Sequence, residues 1–206
     1  MEATAAAHHP ETSTGVDNKK LLMWLFLASE CLFFGGLIGT YLLYRDRSLV
    51  PPFAHDTVLN GESFPGIYDI PFTSVSAFIL LMSSVSMVLA LAAIQRNDRK
   101  GLQVWLATTA LLGMTFLAGQ AFEFTEFYHQ GLTLNSSLFG TTFFVLTGFH
   151  GAHVSVGVLI LLSMLIMSFR GRLSQENSLN VELAGLYWHF VDIVWIVIFT
   201  LVYLVR

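Results

Sequence analysis

LLMWLFLASECLFFGGLIGTYLLY occupies residues 21–44, fenced by Lys19-Lys20 on one side and Arg45-Asp46-Arg47 on the other. A helix needs about 20 mostly apolar residues to cross a hydrocarbon layer about 30 Å thick, at about 1.5 Å rise per residue. This run meets that length with a single carboxylate, Glu30, inside it. Four further runs of the same kind follow at about 72–94, 102–127, 138–169 and 183–205. Pro71 is well placed for the start of the second, and the fourth is long enough to imply tilt or protrusion. The sequence therefore predicts an all-α, polytopic membrane protein with five transmembrane helices (19–206) behind a polar tail (1–18). The tail lacks the apolar core of a secretion signal, so the first span is expected to stay as an anchor. His8 and His9 in that tail are read as solvated.

Composition agrees. Charged residues are 12% of the 206, about half the share of an ordinary soluble domain, and hydrophobic residues are 54%. Mean hydropathy is +0.65. A net charge of −4 without a basic cluster argues against nucleic-acid binding. Cys31 is the sole cysteine, which excludes an internal disulfide and a thiolate metal cluster within the chain. The segment 45–70 carries the turn signals Pro51-Pro52, Asn60-Gly61 and Pro65-Gly66 and reads as a loop. The short charged link 95–101 makes the second and third helices antiparallel neighbours.

All ten Lys and Arg lie outside the spans. Lys19, Lys20, Arg96, Arg99, Lys100, Arg170 and Arg172 share one side, and Arg45, Arg47 and Arg206 the other. Seven against three predicts a cytoplasmic N-terminus and an outside C-terminus. Trp24, Trp105 and Tyr203 fit an interfacial aromatic belt, whereas Trp188 and Trp195 sit deeper and are expected to pack between helices.

The residues that need explaining are the ionisable ones inside spans: Glu30, Glu123, Glu126, Asp192, His150, His153 and His189. An ionised Asp at the centre of a span costs roughly 2.5–3.5 kcal/mol on the insertion scale, and no Lys or Arg lies in a span to offset it. Partners must come from the histidines, Gln120, hydroxyls, backbone carbonyls, lipid headgroups or another subunit; a carboxyl without one stays protonated. Glu30 lies roughly 13 Å into the layer, Asp192 at a similar depth from the same side, and His153 roughly 24 Å along a tilted helix. These three are expected to meet near mid-membrane in a hydrogen-bonded cluster, with His150 and His189 close by. Glu123 and Glu126 fall near the outer face with His129, and Glu126 reads as an interface carboxylate.

His150 and His153, three apart, share a helix face. A metal would need two more ligands there. The small neighbours Gly148, Gly151, Ala152 and Gly157 favour a close helix contact with both imidazoles hydrogen-bonded, so no metal site is expected. A bis-histidine haem b site with His189 is the other sharp reading, and Tyr187-Trp188-His189-Phe190 leaves it little room. A proton channel relaying between Glu30 and Asp192 is a third.

Four segments together resemble subunit III of the haem–copper respiratory oxidases. They are Trp24-Leu25-Phe26-Leu27-Ala28-Ser29-Glu30 with Phe33-Phe34; Gly119-Gln120-Ala121-Phe122-Glu123-Phe124; Thr147-Gly148-Phe149-His150-Gly151-Ala152-His153-Val154; and Tyr187-Trp188-His189-Phe190-Val191-Asp192-Ile193-Val194-Trp195. Asp98-Arg99-Lys100 matches as well. The resemblance covers residues 20–206. It implies a non-catalytic subunit of a bacterial plasma-membrane oxidase, packed beside catalytic subunit I and near subunit II, with haem and copper in those partners and no cofactor in this chain. It implies support of proton uptake and protection against turnover inactivation in a complex that reduces dioxygen and pumps protons. Bound phospholipid is a further expectation, without assigned contacts. By resemblance Glu30 is the carbodiimide-reactive carboxylate. The electron donor is read as cytochrome c, with quinol as the alternative. Longer members have two helices ahead of the Ser-Glu helix; this chain starts on that helix, like the short bacterial form.

Overall fold

The computed structural model describes residue 15 and residues 17–47, 51–59 and 61–205. Most of the tail, with His8 and His9, and Arg206 lie outside the described residues. Five helices follow one another: α1 (Asn18–Tyr44), α2 (Ile70–Gln95), α3 (Arg99–His129), α4 (Leu138–Phe169) and α5 (Ser178–Ile198). All five are long and apolar enough to cross a membrane. The chain is a polytopic helical membrane protein.

Most of the helices begin before the apolar runs do, because polar residues close their ends. Asp17 accepts from Lys19 N, Asp69 from Phe72 N, Asp98 from Gly101 N and Ser137 from Gly140 N. Each side chain satisfies a backbone donor that the first turn leaves free. At the other end of the chain, α5 continues into a wider π coil over Phe199–Leu204, where Val205 N donates to Thr200 O at 3.0 Å.

The α1–α2 connection departs from the expected plain loop. It folds a short antiparallel hairpin, β1 (Thr57–Leu59) against β2 (Glu62–Phe64), in the register Thr57↔Phe64 and Val58↔Ser63. Gly61, part of the Asn60-Gly61 turn signal, adopts φ +88° just before β2; Asn60 lies outside the described residues.

Helices α2, α3, α4 and α5 pack in a ring, each against the next and α5 back on α2; α1 lies outside, against α4 and α5. Trp188 occupies the middle of the ring. Its ring runs past Gly113 of α3 and Gly157 of α4, where an added Cβ would stand 2.6 and 2.8 Å from indole carbons. Its Nε1–H donates to Ser83 Oγ of α2 at 2.9 Å. One side chain thus fixes the spacing of four helices.

Helix α1 is attached differently. Its buried residues are Leu27, Phe34 and Tyr41, one every seventh position. Met23, Leu37 and Ile38 pack beside them, and Glu30 falls into the same series. This is the knobs-into-holes spacing of a coiled-coil seam. The rest of α1 faces outward: Leu22 is 69% exposed, Leu25 62% and Leu32 81%, a surface made for hydrocarbon.

Trp24 is 53% exposed, as an interfacial residue would be. Tyr203 is a correction to the belt reading. It is 1% exposed, and its ring lies 4.5 Å from that of Tyr68. The π coil turns fewer degrees per residue than an α-helix, which brings Tyr203 back beneath Trp195 on the inner face, 6.4 Å between rings.

Candidate functional site

The span residues singled out in the sequence divide into four places. The first is the seam of α1 and α4. Glu30 Oε2 lies 3.3 Å from His153 Nε2, both side chains nearly covered. His153 Nδ1 is 2.8 Å from the Phe149 carbonyl one turn earlier. A carbonyl only accepts, so Nδ1 carries the proton. Nε2 is then the nitrogen that faces the Glu30 carboxyl, in an ion-pair contact between α1 and α4. From α5 the Tyr187 hydroxyl donates to the His153 carbonyl at 3.0 Å and braces the turn.

This pair lies in the wall of a groove of about 670 Å³ between α1, α4 and α5. Met23, Phe26, Phe149, Val156 and Leu183 supply its apolar lining. At the end of the helices where the α2–α3 and α4–α5 links lie, Lys20 pairs with Glu182. An apolar groove with one polar pair in its wall suits an acyl chain.

The second place is the interface of α2 and α5. Ser84 Oγ lies 2.7 Å from His189 Nδ1, and Ser84 also faces the buried Asp192 carboxyl. Asp192 and His189 therefore do not join Glu30 and His153 in one cluster. The reason is rotational. At about 100° per residue, His189 and Asp192 stand roughly 160° and 140° around α5 from Tyr187, which faces the groove. Depth alone placed them together.

The third place is the inside of the ring. His150 is fully buried, and neither ring nitrogen has a hydrogen bond among the described residues. This corrects the expectation that both imidazoles of the pair are hydrogen-bonded. His150 is held by stacking on Trp195, 4.9 Å between ring centres at 18°, with Phe116 edge-on. Gln120 donates from Nε2 to the Thr147 carbonyl at 3.0 Å, and Gly151 leaves the space its side chain fills. Among the described residues no three His, Cys, Asp or Glu side chains gather as a metal set.

The fourth place is the C-terminal end of α3. Glu123 is buried, not hydrated at an interface as its depth suggested. Its Oε1 lies 2.6 Å from the Thr73 hydroxyl, and its carboxyl also meets Tyr203. Glu126 is exposed and accepts from Gln130 Nε2 at 3.1 Å. Ser84, Tyr187, Thr73 and Tyr203 escaped the sequence reading as site residues. In a span rich in small hydroxyls, nothing distinguishes the one that meets a histidine.

The family model described as Cytochrome c oxidase subunit III matches residues 1–205. The chain belongs to that family. Cytochrome c oxidase subunit 3 of Bacillus sp. (strain PS3) is 36% identical over 187 residues, covering 91% of this chain and 86% of the relative. The Synechocystis sp. protein of the same name is 44% identical over 181 residues, 87% of this chain and 72% of its own. Quinol oxidase subunit 3 of Bacillus subtilis is 34% identical over 181 residues, covering 88% and 84%. Within the subunit III family, then, both donor types occur among relatives of similar identity. The subunit III motifs fall at all four places: Ser29-Glu30 at the seam, Gln120 and Glu123 on α3, His150 and His153 on α4, and Trp188 to Trp195 on α5. They mark helix contacts rather than one pocket.

Proposed function

We propose that this subunit III chain is a non-catalytic member of a bacterial haem–copper oxidase in the plasma membrane, beside catalytic subunit I and near subunit II. It binds no haem or copper itself, and it supports proton uptake and the lifetime of the catalytic centre. The observation that carries this reading is the Glu30–His153 pair, a carboxyl and an imidazole 3.3 Å apart in the wall of a largely apolar groove. Such a pair can hold a proton without performing redox chemistry. The groove takes a phospholipid acyl chain, which seals the pair from water. Cytochrome c is the donor we favour for the complex, with quinol as the second reading that the relatives' names support equally.

Affinity purification tests this directly. A tag on this chain is expected to recover, in mild detergent, an oxidase with haem absorbance and oxygen consumption. Oxidase from cells lacking the chain is expected to begin at normal turnover and lose activity sooner. A tagged chain that purifies without any haem-bearing partner would remove the proposal.

Orientation is part of the same reading. The α2–α3 and α4–α5 links and the Lys19–Lys20 end lie in the cytoplasm, and the hairpin lies outside. In a Cys31→Ser background, a cysteine at Ser63 is expected to react with an impermeant maleimide in intact cells, and one at Lys100 only after lysis. The reverse pattern would invert the topology.

A further inference from the structure

The exposed hydroxyls of the spans follow one rule. Ser29, Thr40, Thr115, Thr125, Ser163 and Thr200 each donate to a carbonyl three or four residues earlier in their own helix. A hydroxyl satisfied in this way asks nothing of its surroundings and can face hydrocarbon. Ser84 differs from these exposed hydroxyls. It is half-buried and engages His189 across the α2–α5 interface instead.

Three observations meet at this point. His189 is half-buried, and its Nε2 has no hydrogen bond among the described residues, Nδ1 being the nitrogen that meets Ser84. Behind it, Asp192 is 4% exposed with Oδ1 unpartnered among the described residues. Around it the surface is apolar and outward-facing: Leu81 and Val88 flank Ser84 on α2, and Ile193 and Ile196 follow His189 on α5. Ser84 lies fourteen residues from the first residue of α2 and eleven from the last, so the polar centre is at mid-span.

An unsatisfied imidazole nitrogen at that depth is costly against hydrocarbon, and ionisable groups within spans face protein or water. Polar groups in a ring of apolar side chains are the pattern of a buried helix–helix contact in membranes. The outer face of α1, with Leu22, Leu25 and Leu32, has no such centre and suits lipid. We propose that the α2–α5 face centred on Ser84 and His189 is the docking surface for a transmembrane helix of a partner oxidase subunit, which sets a hydrogen-bonding side chain against His189 Nε2. This rests on the reading of the chain as an oxidase subunit and adds the surface through which it assembles.

The test uses the intact complex in native membranes. A photoreactive benzoylphenylalanine replaces Val88 or Ile193, with Leu25 as the comparison on α1. Illumination is expected to join positions 88 and 193 to a haem-bearing oxidase subunit, and position 25 to lipid. His189→Leu is expected to lower recovery of the complex on a tag about three- to thirtyfold, the span of one interhelical hydrogen bond in a membrane. His189→Gln, which keeps a donor and an acceptor, is expected to recover most of it. Lipid adducts alone at 88 and 193, or adducts to a second copy of this chain, overturn the surface. That result would leave the subunit reading standing, provided the wild-type chain still brings down the oxidase. Failure of the wild-type chain to do so would remove the subunit reading itself.

Discussion

Trp188→Ala is expected to lower the stability of the folded chain by about 3–5 kcal/mol, the range for losing a large buried aromatic side chain. The measure is a thermal-denaturation series in detergent, followed by loss of monodisperse protein. The indole is 1% exposed, touches α3 and α4 where both offer glycine, and holds the Ser83 hydroxyl of α2. Removing it leaves a cavity at the crossing of four helices and takes one donor from the Ser83 hydroxyl, which still donates to the Leu80 carbonyl. Gly157→Val attacks the same point from the other side. Its Cβ would lie 2.8 Å from the indole, and a bicyclic ring in a packed slot has no free end to swing away. Trp188→Phe is expected to do less harm, because it keeps most of the area and loses the hydrogen bond. A loss below about 1 kcal/mol for Trp188→Ala would mean that the ring does not set the helix spacing.

Glu30 is expected to be the residue modified when the intact complex is treated with dicyclohexylcarbodiimide. The reagent is apolar and reacts with a protonated carboxyl, and the groove between α1, α4 and α5 offers an apolar approach to one. Peptide mass spectrometry is expected to find the adduct at Glu30 and none after Glu30→Gln. His153→Leu should increase labelling, since an apolar neighbour in place of the imidazole disfavours the ionised carboxylate. A water-soluble carbodiimide is expected to label poorly. Glu123 and Asp192, at 6% and 4% exposure, are shut inside helix contacts and should stay unmodified. Modification at either of them in place of Glu30 would overturn the assignment of the groove.

The spans were legible because length and hydropathy are one-dimensional properties. Five apolar runs gave five helices, with starts displaced where Asp17, Asp69 and Asp98 carry the coil into polar sequence. Depth is one-dimensional too. It brought Glu30 to His153 correctly, counting about 1.5 Å per residue from either end. Azimuth is not. These helices are apolar on all sides, so no amphipathic stripe records which face turns inward, and depth sets Asp192 of α5 beside Glu30 although it faces Ser84 of α2. Glu123 and Tyr203 failed for a related reason. Both lie near helix ends where water is expected, but the segment before α2 brings Tyr68 against Tyr203, and the π coil aims Tyr203 inward. Chain folded over a bundle end alters burial without leaving any mark in hydropathy.

The seam of α1 sets an order of disassembly. Helices α2 to α5 close a ring in which each packs between two neighbours, whereas α1 lies outside it against α4 and α5, with only Leu27, Phe34 and Tyr41 fully buried. As detergent or heat loosens the protein, α1 is the helix that peels first and the ring the part that survives. The Glu30–His153 pair is then the latch on that edge. It sits at a seam position, where a polar pair fixes the height of one helix against another. A one-heptad slide of α1 would still match apolar residues with apolar residues, but it would tear the carboxyl from its imidazole. The same carboxyl and imidazole therefore also hold the outermost helix at its proper level.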